Sequence, residues 1–223
     1  MSSRRPFSGL VPILAMMLTV GLVGTTPAAA NSKYASLVVD GNTGKSVRAR
    51  NADAPRYPAS LTKIMTLYVL FGEIKAGRIK TSDRIKVSPH AAAQPPSSLG
   101  LKAGDTITVD NAIRALVTKS ANDVAAAVGE HVEGTEWSFA QRMTATARAL
   151  DMNKTTFRNA SGLPNKNQKT TARDMAKLGI AIMNDFPELY KMFRLTSFKW
   201  RGNTYRNHNR LLGKYKGTEG IKT

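Results

Sequence analysis

Between Ser60 and Ile74 the chain carries Ile64, Met65, Leu67, Tyr68, Val69, Leu70, Phe71 and Ile74. At the 3.6-residue period of a helix these side chains cover nearly every face. A helix that is apolar all round belongs at the centre of a domain, with other elements packed on all its sides. Pro55-Arg56-Tyr57-Pro58 breaks the chain just ahead of it. The rest of the sequence therefore has to supply the layers that cover this helix.

Two β-type runs, Tyr34–Val39 and Lys45–Arg50, flank Gly41-Asn42-Thr43-Gly44 and predict a hairpin. Arg84–Ser88 and Thr106–Val109 are short strand candidates, and the intervening 89–104 reads as loop. Asp110 is the expected cap of a helix holding Ile113, Leu116 and Val117. That helix breaks near Ser120, and a second segment runs through Val124, Ala127, Val128, His131 and Val132. Phe139, Met143, Ala147 and Leu150 repeat at helical spacing. Thr171-Ala172-Arg173-Asp174 is a capping-box pattern before Met175, Leu178 and Ile182. Thr196–Tyr205, turning at Gly202-Asn203, suggests a hairpin, and Ile221 begins a further strand. Hairpin, helices, then strands again indicate an α+β fold, a helical cluster packed on an antiparallel sheet. The first and last strands are expected to be sheet neighbours.

The N-terminus is a processing signal. Arg4 and Arg5 form a positive region, Leu10 to Val23 an apolar stretch too short for a comfortable span, and Ala28-Ala29-Ala30 a small-residue cleavage pattern. Residues 1–30 are read as a signal peptide and 31–223 as one catalytic domain, exported to the periplasm or cell envelope by general secretion, with the twin-arginine route kept open because Ser3-Arg4-Arg5-Pro6-Phe7 resembles its signal. The 33 Lys and Arg against 15 Asp and Glu would otherwise suggest nucleic acid. Export argues against that partner and favours anionic wall material or membrane surface.

Residue types narrow the chemistry. There is no cysteine, so neither thiolate catalysis nor a cysteine zinc site is available. The three histidines, His90, His131 and His208, lack metal-ligand spacing, and neither a metal nor a cofactor is expected. Serine paired with lysine is the remaining covalent route, because a lysine of lowered pKa can deprotonate a serine. Ser60-Leu61-Thr62-Lys63 places the two on one helical face, with Ser60 at the helix N-terminus, where the dipole favours an oxyanion. Ser120-Ala121-Asn122 sits at the break between two apolar runs, and Gly220-Ile221-Lys222-Thr223 closes the chain. Each alone has an ordinary reading: an N-cap serine with a solvated lysine, an inter-helix cap, a common dipeptide. His131 is expected as a core or rim residue and His208 as a loop organiser. Met143, Met175 and Met183 are expected as core filler, and Trp137 and Trp200 as buried packing.

Together, in this order, the three segments resemble the S-x-x-K, S-x-N and K-T-G motifs of the D-alanyl-D-alanine carboxypeptidases, low-molecular-mass penicillin-binding proteins of the serine β-lactamase/transpeptidase-like family. Flanking blocks are similar too: Tyr57–Thr66, Leu101-Lys102-Ala103-Gly104-Asp105, Ser161-Gly162-Leu163-Pro164, Asn207–Leu212 and Glu219–Thr223. The resemblance implies Ser60 as nucleophile, Lys63 as general base, Ser120 as proton relay and Asn122 as a holder of Lys63 or substrate. It implies Lys222 and Thr223 as contacts to the terminal carboxylate. The implied substrate is the peptidoglycan stem peptide, with β-lactam antibiotics as covalent inhibitors. The sequence stops before the glycine of the third motif, so a C-terminally truncated domain is expected, with peripheral membrane contact through the absent C-terminus kept open. Rival readings are a muropeptide endopeptidase, a β-lactamase (whose class A E-x-x-L-N pattern is absent) and a non-catalytic basic wall-binding protein.

Overall fold

The computed structural model describes residues 34–222, so the expected signal peptide and Thr223 lie outside the described residues. Among the described residues, no helix is long and apolar enough to cross a membrane. In chain order the elements are β1 (Ser36–Val39), β2 (Ser46–Arg50), α1 (Thr62–Lys75), β3 (Arg84–Lys86), α2 (Pro89–Ala92), β4 (Thr106–Thr108), α3 (Val109–Thr118), α4 (Asn122–Glu133), α5 (Glu136–Ala149), α6 (Ala172–Asp185), α7 (Pro187–Tyr190), β5 (Ser197–Trp200) and β6 (Asn203–Arg206). Short 3₁₀ turns precede α1 at Ala59–Leu61 and follow α7 at Lys191–Arg194.

The apolar helix is central, as its pattern requires. Met65, Leu67, Leu70 and Phe71 of α1 have no exposed surface, and α1 packs against α3, α4, α5 and α6. Each such side chain contributes about 1.5–3 kcal/mol relative to exposure. Phe71 meets Phe186 and Phe193 edge-on, with ring centroids 5.8 and 6.4 Å away, which fixes how the 186–193 segment closes over the helix. α4 is buried from Asn122 through Gly129. Its alanines and Gly129 allow close approach: a Cβ on Gly129 would meet the Phe139 ring of α5 at 3.0 Å. One acid, Glu73, is carried into the core edge by α1. The Arg78 guanidinium, at 2.6 and 2.8 Å, and that of Arg142 hold its carboxyl down at about 2.

Among the described residues the strands form three separate two-stranded antiparallel ladders, β1–β2, β3–β4 and β5–β6, rather than one sheet. The expected pairing of first and last strands is corrected: β1 pairs with β2 alone among the described residues, and Ile221 and Lys222 are not in a strand. The β5–β6 turn falls on Arg201-Gly202, both with positive φ (46° and 83°), one residue earlier than the sequence suggested. Two consecutive left-handed residues match the twist of a two-residue hairpin.

Local chemistry explains the remaining differences. The α3 cap is Thr108, whose hydroxyl accepts from the Asn111 amide at 3.2 Å. Asp110 lies inside the first turn and pairs with Arg114 instead. At α6 the cap is Thr171 as expected, accepting from the Asp174 amide at 3.0 Å. The expected 89–104 loop contains one helical turn, α2, because Ser88 caps the Ala91 amide and Pro89 stands at its first position. Trp137 is 71% exposed and His131 is also exposed, so neither fills the core; both lie where α4 gives way to α5, on the solvent side.

The loop between α2 and β4 is fastened by Asp123, which is 1% exposed. Its carboxylate accepts from the amides of Leu99 (3.0 Å), Leu101 (3.1 Å) and Val124 (2.9 Å). Asp123→Ala leaves these amides without their acceptor, and stranded buried donors cost about 1–3 kcal/mol each. We expect a loss of about 3 kcal/mol or more, read from urea denaturation. A midpoint within error of the wild type would contradict the fastening role.

Candidate active site

The chain enters α1 through a strained step. Ala59, the first residue of the 3₁₀ turn, has φ of +46°, an uncommon value for a residue with a Cβ, and the turn presents Ser60 half-buried on the wall of a cavity. One helical turn later, Lys63 is carried inward by α1 and is 1% exposed. On the opposite wall, the break between α3 and α4 turns through Ser120, also left-handed with φ of +61°. This bend lets α4 begin at Asn122, whose side chain faces Lys63.

Ser60, Ser120 and Asn122 line one cavity of about 310 Å³, together with Ser161, Gly162 and His208 among others. Lys63 Nζ donates to Asn122 Oδ1 at 2.8 Å and to the Ser161 carbonyl at 2.6 Å. Asn122 is held in turn, donating its Nδ2 to the Pro95 carbonyl at 2.9 Å. The Ser120 hydroxyl is buried and has no hydrogen-bond partner among the described residues. Such an orphaned group at a cavity wall is costly unless a ligand or water satisfies it.

Burial is the main force on Lys63. It disfavours the ammonium and, with the charge of Lys222, brings the pKa down to about 7 against the pull of Asp123 and Glu136. The hydrogen bonds agree with that state. A neutral amine has two N–H bonds, which Asn122 and Ser161 accept, and its lone pair remains to take a proton. Lys222, itself half-buried, is lowered to about 8 by burial. His208 is lowered by burial and by Lys222 and Lys119.

The sequence-predicted residues are thus placed as follows. Ser60, Ser120 and Asn122 converge on one cavity with Lys63 bonded beneath it, and Lys222 acts on Lys63 through its charge. Thr223 is outside the described residues. His208 stands on the cavity wall, not only in a loop. Sequence reasoning missed the Ser161 carbonyl, since a backbone acceptor leaves no residue-type signal; Ser161 appeared only within a family block.

A profile of the D-alanyl-D-alanine carboxypeptidase family matches residues 23–223. The chain belongs to this family. It is 35% identical to the D-alanyl-D-alanine carboxypeptidase DacC of Escherichia coli over 89% of its own length and 52% of the relative's. It is 31% identical to DacF of Bacillus subtilis, again over 89% of this chain and 52% of the other. The chain therefore spans about half the length of these curated relatives. Its fold superposes on penicillin binding protein 5 of Haemophilus influenzae with a TM-score of 0.82 at 31% identity, covering 90% of this chain and 59% of that one. Penicillin-binding protein D2 of Listeria monocytogenes in its ampicillin-bound form gives 0.72 at 26% identity, covering 89% and 81%. Against these penicillin-binding proteins the α+β assignment stands, with the sheet divided as described.

Proposed function

We propose that residues 31–223 form a serine-type D-Ala-D-Ala carboxypeptidase domain that removes the terminal D-Ala from peptidoglycan stem pentapeptides. The observation that carries this reading is a buried lysine with both N–H acceptors in place, bonded to Asn122 and Ser161 on the wall of a cavity that a half-buried serine and an unpartnered serine hydroxyl also line. In this reaction Ser60 Oγ attacks the carbonyl of the penultimate D-Ala and passes its proton to neutral Lys63. The tetrahedral intermediate collapses, the C–N bond breaks, and the departing amine takes a proton relayed through Ser120 from Lys63. Water, deprotonated along the same route, then cleaves the Ser60 ester and restores the serine. Asn122 keeps Lys63 in place throughout. Lys222, with Thr223, meets the terminal carboxylate.

β-Lactams mimic the peptide and stop at the acyl-enzyme, which makes them covalent inhibitors. Membership of the family supports this partner, as does the Listeria monocytogenes relative solved in its ampicillin-bound form. Residues 1–30 act as the export signal, which places the domain in the periplasm or cell envelope. The test is intact-mass spectrometry after penicillin treatment, with the modified peptide mapped. We expect one adduct, on Ser60. An adduct on another residue, or turnover of stem pentapeptide without an acyl-enzyme, overturns the reading.

A further inference from the structure

Lys63 is gripped by the Ser161 carbonyl, so whatever fixes the turn around Ser161 also fixes the base. Two bonds do this from below. Thr66 of α1 donates its hydroxyl to the Ala160 carbonyl at 2.7 Å, and the Ala160 amide donates to Glu136 Oε1 at 2.9 Å. Glu136 is the first residue of α5, and its side chain is only 12% exposed. Its second oxygen, Oε2, lies 2.7 Å from His90 Nε2 on α2. The segment that begins with α2 runs on to Pro95, whose carbonyl accepts from Asn122. Asn122 is the other grip on Lys63. Both acceptors of the base therefore trace back to Glu136: one through the Ala160 turn, the other through His90, the Pro95 segment and Asn122.

We propose that Glu136 is the positioning residue of this site, tying together the two loops that hold Lys63. The inference rests on Lys63 serving as the base proposed above. A carboxylate suits the place for two reasons. It has two oxygens set to accept from two directions, and an ionised acceptor makes the stronger bond to a backbone amide. Its charge also acts on the amine it positions. Lys63 faces Lys222 from the chain end, Asp123 from α4 and Glu136 from α5, with His90 and Arg158 on the far side of Glu136. The two acids favour the ammonium and Lys222 disfavours it. Glu136 thus helps keep the midpoint of Lys63 from falling further than burial alone would push it.

Two substitutions separate the two parts of the role. Glu136→Gln keeps an oxygen for the Ala160 amide and removes the charge. Its acylation above the midpoint should slow, but less than in Glu136→Ala, because the Ala160 bond survives while the acceptor facing His90 is lost, and the midpoint of Lys63 should move to lower pH. Glu136→Ala removes the anchor. Its penicillin acylation should slow by roughly 10–100-fold even at pH values where Lys63 is neutral, because the base is no longer held in line. The Lys63 midpoint is read independently of activity, by NMR titration of the side-chain amine in lysine-labelled protein, the signal being assigned by its loss in Lys63→Ala. An unchanged midpoint in Glu136→Gln overturns the assignment. So does a folded Glu136→Ala that acylates at the wild-type rate. A shifted midpoint in a protein that penicillin never acylates supports the role of Glu136 and refutes the carboxypeptidase reading, so the two failures are distinct.

Discussion

Lys63→Ala should lower the rate of Ser60 acylation by penicillin about 10²–10⁴-fold, the span of a general base at its working distance. The expectation follows from the bonds around Nζ. Asn122 and Ser161 accept from Nζ at 2.8 and 2.6 Å, which in the neutral amine leaves the lone pair to take a proton. Lys63→Arg should not restore the rate, because a guanidinium stays protonated and cannot accept. Stopped-flow measurement of acylation checks both. A Lys63→Ala protein within threefold of wild type, roughly 0.6 kcal/mol, would show that another group takes the proton.

Gly162→Ala should disable the site from a position that contacts no reacting atom. A Cβ at residue 162 would stand 1.8 Å from the Ala59 carbonyl oxygen and 3.0 Å from Thr62 Oγ1, and the glycine sits at φ of +90°. The obstacle is backbone, so a rotamer change cannot relieve it. Either the 159–163 turn retreats, taking the Ser161 carbonyl off Lys63, or Ala59 moves and carries Ser60 with it. Ala59 already holds a positive φ, so it has little conformational freedom to give. Overpacking and left-handed strain together should cost about 2–4 kcal/mol of stability. Acylation should slow about 100-fold from displacement of the nucleophile or base. Thermal and urea denaturation give the first number and acylation kinetics the second. Wild-type values in both would mean that the contact between this turn and the nucleophile segment does not exist.

What could be read from the sequence, and what could not, divides along physical lines. The role of α1 was legible because its apolar residues leave no face for water, and only a central helix satisfies that. Ser60, Lys63, Ser120 and Asn122 were legible as candidates because side-chain type and order carry the resemblance, and the fold brings them together. The Ser161 carbonyl was not, since any residue supplies one. Glu136 and Asp123 were also missed. Each reads as an ordinary acid near a helix start, and only the fold reveals that Asp123 gathers amides from the 99–101 loop while Glu136 reaches Ala160. The division into three two-stranded ladders was invisible for a related reason. Strand pairing depends on which edges meet in space, and alternation within a short strand does not specify its neighbour. Trp137 reads as packing from residue type alone, whereas its place at the start of α5 leaves it in solvent.

The central claim is that burial keeps Lys63 neutral, as the base for Ser60, near physiological pH. The most direct test is the rate of Ser60 acylation by penicillin between pH 5 and 11 in the wild-type protein. A lysine lowered to about 7 gives its lone pair only above that value. The rate should therefore be low at pH 5, rise through a midpoint near 7 and level off beyond it. A rate already at its plateau at pH 5, or one that climbs only through the ordinary lysine range near 10.5, would contradict the account.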